Sequence, residues 1–191
     1  MEPVRLEAFT DGVVAIIITI MVLEIRVPHG SSLASLQEDV PVLIAYVLSY
    51  VNVGIFWNNH HHMLQVTERV DGRVLWANLG LLFWLSLVPF VIRWIDESGF
   101  TALPTAAYGV VLVCAAVSYN ILQRQIIVAN GRDSRLAVAL GADLKGKLSI
   151  ALYAAAIAIA FVRPWLSIAL YVAVAVLWLV PDSRIEELAK R

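Results

Sequence analysis

Apolar residues along this chain come in long blocks, not in stripes. The first block runs from about Val4 to Ile25 and the second from about Val42 to Leu64. The third covers about Leu75 to Ile95 and the fourth about Ala102 to Ile127. A fifth extends from about Leu144 to Val162, and a sixth follows Arg163–Pro164 and ends at Val180–Pro181. Each approaches the ~20 residues that a helix needs to cross a bilayer. Helix-boundary residues sit where the blocks end: Glu38, Asp39 and Pro41 open the second, Asp71–Gly72 the third and Pro104 the fourth, which Asn130–Gly131 stops. Pro89 is the exception, because it lies inside the third block, where a missing donor and a ring clash kink or end a helix. The pattern predicts an all-α integral membrane protein with six transmembrane helices per subunit.

Two other architectures fit worse. A soluble helical bundle needs polar stripes at helical period on its outer helices, and Ala151–Phe161 and Ser167–Val180 carry none. A transmembrane barrel needs short strands of alternating polarity, and these blocks are too long and too uniformly apolar. Composition agrees: 60% of the residues are hydrophobic and only 15% charged, with a mean hydropathy of +0.79. A soluble domain would carry roughly a quarter charged residues. No linker or internal repeat divides the chain, so residues 1–191 read as one transmembrane domain, with 182–191 a short amphipathic or frayed helical end.

Charge sets an expected orientation. Six spans would put both termini on one side, together with eleven of the fourteen Lys and Arg; Arg26, Arg93 and Arg163 fall on the other. The positive-inside rule then places both termini in the cytoplasm. A net charge of -1 with so few basic residues offers no surface for nucleic acid. Cys114 is the single cysteine, so no intramolecular disulfide can form.

The candidate chemistry is concentrated in the first block. Glu7 and Asp11 precede the apolar run Val13–Leu23, and Glu24 follows it. These flanks are wrong for a signal peptide, which starts basic and ends in small residues. Carboxylates near membrane depth are costly and usually face a bundle interior or an aqueous path. Asp11 and Glu24 are thirteen residues apart, roughly 20 Å along a helix, which puts them near opposite interfaces. Between them Ile16, Ile20 and Leu23 share one face, with Thr19 beside them. That face is either ordinary packing or the wall of a pore, since an apolar constriction gates ions by dewetting. Asp11 reads as a member of a buried network, paired with Arg5 or with a polar group of another helix, and Glu24 as a mouth charge.

The second block carries Asn52, Trp57, Asn58, Asn59, His60, His61 and His62. Three consecutive histidines do not make a metal site, because neighbouring helical residues point about 100° apart. No His-x-x-x-His spacing is present, so no metal is expected. Hydrogen bonding to Asp11, or to Asn78 of the third block, suits these polar groups better. Phosphate-loop, dinucleotide and metalloprotease motifs are missing, so neither an enzyme nor a cofactor is expected.

Arg5, then Phe9–Thr10–Asp11, resembles the Arg-x-x-x-Phe-Ser-Asp signature of the transmembrane protein 175 family of potassium channels, with Thr in place of Ser. The likeness continues through Gly12–Ile25 to Phe56–Trp57 and His60–His61, then to Trp76, Asn78 and Val88–Pro89–Phe90. It is close over roughly the first half, and to the short prokaryotic members in particular. It implies a homo-tetramer in membrane lipid whose first helix lines a central potassium pore, without a re-entrant carbonyl filter loop. By the same resemblance Ile16 takes the place of the main apolar constriction, Thr19 that of the pore hydroxyl linked to potassium preference, and Ile20 and Leu23 that of outer apolar layers. Arg5, Phe9, Thr10 and Asp11, with His60, His61 and Asn78, take the place of the signature and its supporting polar network. A potassium-permeable channel gated by an apolar constriction is the leading expectation. A small-molecule or proton-coupled transporter is the alternative, and a membrane scaffold without transport is a third reading.

Overall fold

The computed structural model describes residues 2–25, 27–140 and 144–179. Its secondary structure there is entirely helical. The helices are α1 (Pro3–Leu23), α2 (Leu33–Glu38), α3 (Val40–Gln65), α4 (Gly72–Ser86), α5 (Val88–Ser98), α6 (Ala102–Asn130), α7 (Arg135–Leu140), α8 (Leu144–Ala160) and α9 (Pro164–Leu179). The short α2 and α7 lie in connections that the hydropathy pattern leaves as loops. The tail expected over 182–191 lies outside the described residues.

Among the described residues four segments, not six, are long and apolar enough to cross a membrane: Pro3–Leu23, Val40–Gln65, Gly72–Ser98 and Ala102–Asn130. This corrects the expected count. The fifth and sixth blocks are separated by a tight turn, and over their described residues neither helix reaches that length. Pro164 disfavours helical geometry at the residue before it, and the N–H groups of Val162 and Arg163 both fold back onto the Ile159 carbonyl. Helix α8 ends at Ala160; over the described residues it has 17 residues and α9 has 16. At 1.5 Å per residue these reach roughly 25 Å, short of the ~30 Å hydrocarbon core. They form a helical hairpin packed on α6, with α9 also touching α3. The chain is a multi-pass membrane protein, with four such segments among the described residues.

The span boundaries follow local chemistry. Pro3 and Pro41 occupy the first turns of α1 and α3, where a missing N–H costs nothing. The Asp71 carboxylate caps α4 by accepting from the N–H groups of Arg73 and Val74. Pro89 breaks the third span as its position predicts: α4 ends at Ser86, and α5 begins at Val88 after Leu87. Helix α6 stops at Gly131, whose φ of +96° suits glycine. Asn130 then fastens that end to the α3–α4 connection, accepting from the N–H groups of Glu68 and Arg69 and donating to the Arg69 carbonyl.

Helix α6 is the central strut, packing against α4, α5, α8 and α9. Its contact with α9 depends on Gly109, because a Cβ there would lie 2.1 Å from the Tyr171 hydroxyl oxygen. That hydroxyl donates to the Thr105 carbonyl. Helix α1 lies at the edge of the bundle, packed mainly against α3, α4 and α5.

Candidate functional site: one helix with two faces

Helix α1 has two unlike faces. Leu6, Thr10, Val14, Ile17 and Met21 recur at spacings of four or three and are buried against the bundle. On the far side Arg5, Phe9, Gly12, Ile16, Thr19, Ile20 and Leu23 form an uninterrupted exposed face. Ile16 is 58% exposed and Leu23 79%. The residues singled out as a constriction and its layers thus lie together on a side left uncovered among the described residues.

The signature divides between the two faces. Arg5 and Phe9 point outward, whereas Thr10 and Asp11 engage neighbouring helices. Thr10, Asn78 and His60 form a buried chain across α1, α4 and α3. The Asn78 amide nitrogen donates to Thr10 Oγ1 over 2.9 Å, and Asn78 Oδ1 lies 2.8 Å from His60 Nε2. Amide oxygens only accept, so His60 carries its proton on Nε2. All three residues are at most 1% exposed. In a lipid-embedded bundle such groups need partners within the protein, and each supplies one for the next.

A second set of contacts joins α1 to α3. The Trp57 indole N–H donates to Asp11 Oδ1 over 2.8 Å. One helical turn away the Glu7 carboxylate meets His61 Nδ1, and His61 Nε2 lies 2.8 Å from the Gln65 amide nitrogen. Glu7 and Asp11 are four residues apart, as are Trp57 and His61, so two rungs form between antiparallel helices. The Trp57 and His61 rings stack between the rungs, with centroids 6.1 Å apart. Asp11 therefore pairs with Trp57, and no ion pair joins it to Arg5 among the described residues. The three histidines diverge: His60 reaches α4, His61 reaches α1, and His62 lies against the His61 ring. No group of three or more His, Cys, Asp or Glu suited to a metal is assembled among the described residues.

Thr19 has a local partner. Its hydroxyl donates to the carbonyls of Ile16 and Ala15, at 2.9 and 3.1 Å. With the proton turned to the backbone, the oxygen lone pairs are left for the exposed side. At the far end of α1, Glu24 lies 3.5 Å from Arg93 of α5, whose Nε donates to Glu97. The expected mouth charge is thus partly neutralised by a cation from another helix.

Three participants were not apparent from the sequence: Glu7 as a partner of His61, Gln65 beyond it, and Arg93 beside Glu24. The four-residue spacing of Glu7 and Asp11 was the available signal for the first. Arg93 carried none, since its meeting with Glu24 arises from packing between helices far apart in the chain.

Comparison with known proteins gives a consistent result. The family described as endosomal/lysosomal potassium channel TMEM175 matches residues 5–89, which hold both α1 faces and the α3–α4 polar chain. A potassium channel of Chryseobacterium sp. (strain P1-3) is 51% identical over 186 residues, covering 97% of each chain. A potassium channel of Streptomyces collinus is 34% identical, covering 63% of each chain. The crystal structure of a lysosomal potassium-selective channel TMEM175 homologue from Chamaesiphon minutus superposes with a TM-score of 0.84 at 27% identity. It covers 95% of this chain and 98% of that one. Near-full-length identity to one relative, the superposition and the match over α1–α4 agree: the chain belongs to the TMEM175 potassium-channel family, as a homologue of its bacterial members.

Proposed function

We propose that this protein is a potassium-permeable channel, not an enzyme, and that four copies enclose a pore lined by the exposed face of α1. The observation that carries this reading is the division of α1 into an anchored and an uncovered face. A lone edge helix with a hydroxyl in the middle of its free side suits contact with an axial water column. Family membership supports oligomeric assembly, and four-fold assembly is the specific proposal. Residues 1–191 act as one channel domain, with membrane lipid around it and potassium as a permeant ion.

In this arrangement Ile16 forms the narrowest ring. A ring of branched apolar side chains strips water from an ion without replacing it, so closure needs no charged plug. Thr19 lies one turn further out, its oxygen lone pairs turned toward the axis to compensate dehydration of potassium. Ile20 and Leu23 continue the apolar wall, and Glu24, restrained by Arg93, marks the outer mouth. Glu7 and Asp11, held by His61 and Trp57, keep α1 at a fixed rotation, while Thr10, Asn78 and His60 fix its depth. Arg5 and Phe9, on the outward face, are placed to meet neighbouring copies. Arg5, Arg69, Arg73, Arg124, Arg132 and Arg135 fall on one side of the spans, which favours cytoplasmic termini.

The test is a cysteine replacing Ile16 in a Cys114→Ala background, with potassium flux measured in liposomes. Aqueous thiol reagents should block flux, faster when the channel conducts. Unchanged flux after exposure to reagent, in a protein that conducts potassium, would move the pore elsewhere. Ile16→Asn should hydrate the ring and raise basal flux.

A further inference from the structure

On the side of the bundle away from α1, a cavity opens between α3, α6, α8 and α9. It lies in the C-terminal halves of α3 and α6 and the N-terminal half of α8, and no residue of α1 lines it. Its walls are mostly apolar, with Ile55, Phe56, Ala116 and the Trp178 ring among them. Into these walls are set the carboxamides of Asn52, Asn59, Asn120 and Gln123.

The partners of these amides define what the cavity offers. Asn59 Nδ2 donates to the Ile55 carbonyl, and Asn120 Nδ2 to the Ala116 carbonyl, each one turn back on its own helix. Their amide oxygens have no partner among the described residues. Gln123 is 5% exposed, and its amide has no partner among them either. Asn52 is satisfied on both sides, by the Leu48 carbonyl and by the Tyr153 hydroxyl. The cavity thus presents acceptor oxygens at membrane depth, and leaving buried polar atoms unpaired costs about 1–3 kcal/mol each. No Asp, Glu, Lys or Arg lines it, so no fixed charge there compensates an ion. The space open to the centres of water-sized molecules is about 40 Å³. That accommodates a few waters, or one small alcohol.

We propose that this cavity is a binding site for a small uncharged hydroxyl compound. Its O–H donates to the oxygens of Asn59 and Asn120, and its apolar body lies against Phe56, Ala116 and Trp178. A mostly apolar hollow with a few convergent polar atoms is the usual composition of a small-molecule site. Water supplies the same donor chemistry and fills the space when no alcohol is present. The site is separate from the α1 face, and its existence does not depend on where the pore lies.

Trp178 provides a direct readout, since its ring forms one wall. The probe is tribromoethanol, whose heavy atoms quench indole emission, added to the purified channel in liposomes. The quenching owed to Trp178 is the difference between wild type and Trp178→Phe. It should saturate with probe and be relieved by unbrominated butanol. Asn120→Leu, which keeps the side chain's size and removes the acceptor, should weaken the midpoint about threefold to tenfold. Ala116→Leu should fill the cavity and abolish the saturable part. If that variant does not assemble, butanol competition in the wild type and Asn120→Leu still decide the matter. Quenching that rises linearly with probe, indifferent to butanol and to Asn120→Leu, would mean that the cavity holds water only and overturn the proposal. Relief of quenching when choline is replaced by potassium would identify a cation site instead, and would overturn it equally.

Discussion

The two halves of the chain handle buried polarity in different ways. From α1 to α5, polar side chains reach one another across helices: Glu7 with His61, and Thr10 with Asn78 and His60. From α6 to α9 the buried polar groups are uncharged, and several bond to backbone. Ser167 donates to the Ala156 carbonyl, Tyr171 to the Thr105 carbonyl and Ser149 to the Lys145 carbonyl. The first arrangement fixes rotation and depth of a single helix, α1. The second fastens helices to one another without regard to charge. Helix α3 serves both, with His60 facing α4 while Asn52 faces Tyr108 and Tyr153. Changes in the first half should therefore alter conduction as well as stability, and changes in the second should alter stability alone.

The largest expected effect comes from Asn78→Leu. It removes both bonds of the buried chain and leaves Thr10 and His60 without partners, at a cost of about 2–3 kcal/mol in detergent-induced unfolding. Potassium flux per folded channel should fall as well, because α1 loses its depth marker. Equal flux from the folded fraction would erase the distinction between the halves.

Gly109→Ala tests the other half. The added methyl meets the Tyr171 hydroxyl, and overpacking of this kind costs about 1–3 kcal/mol. Thermal unfolding should shift downward, while the flux of channels that remain folded stays at the wild-type level. The methyl would also lie 2.7 Å from Ile157 Cγ1 and 2.8 Å from Tyr171 Cζ, so Tyr171→Phe in the Gly109→Ala background should restore only part of the lost stability.

A smaller loss, about 1 kcal/mol, is expected for Asp11→Asn, which keeps the shape and weakens the charge-assisted bond from Trp57. Oligomer yield or basal flux should nonetheless change measurably, since in the proposed arrangement the rotation of α1 sets which face meets the pore. Wild-type assembly together with wild-type flux would show that the carboxylate charge is dispensable.

Thr19→Val should be almost silent in stability, within about 0.5 kcal/mol, because the hydroxyl bonds only to its own helix. Its effect should appear instead as reduced preference for potassium over sodium in paired flux measurements. Thr19→Ala is the poorer test, because it also widens the pore.

What the sequence made legible follows the same division. In α1 a carboxylate beside a long apolar run stands out, and the spacing of Ile16, Ile20 and Leu23 defines a face without any structure. His60 and Asn78 were identifiable as network members because lipid supplies no alternative partner for them. The pairing of Asp11 with Trp57 was not readable, since it depends on how α1 and α3 align side by side. The count of spans went wrong at Phe161–Arg163, where composition continues apolar while the backbone turns ahead of Pro164. The cavity went unnoticed although Asn52 and Asn59, and Asn120 and Gln123, recur at helical spacing. Each amide looked unremarkable alone, and only the packing of α3 against α6 makes them neighbours.

The break at Leu87 gives the third span a mechanical character that a continuous helix would lack. Two rigid rods meet at a joint, and the outer one bears Arg93 some six residues, or about 9 Å, beyond it. A tilt of about 20° at the joint would swing that position by about 3 Å, enough to make or break its approach to Glu24 at the end of α1. Leverage of this sort turns a small angular change between two rods into a change of charge at a distant rim. The proline that interrupts one helix thereby links its bend to the electrostatics of another.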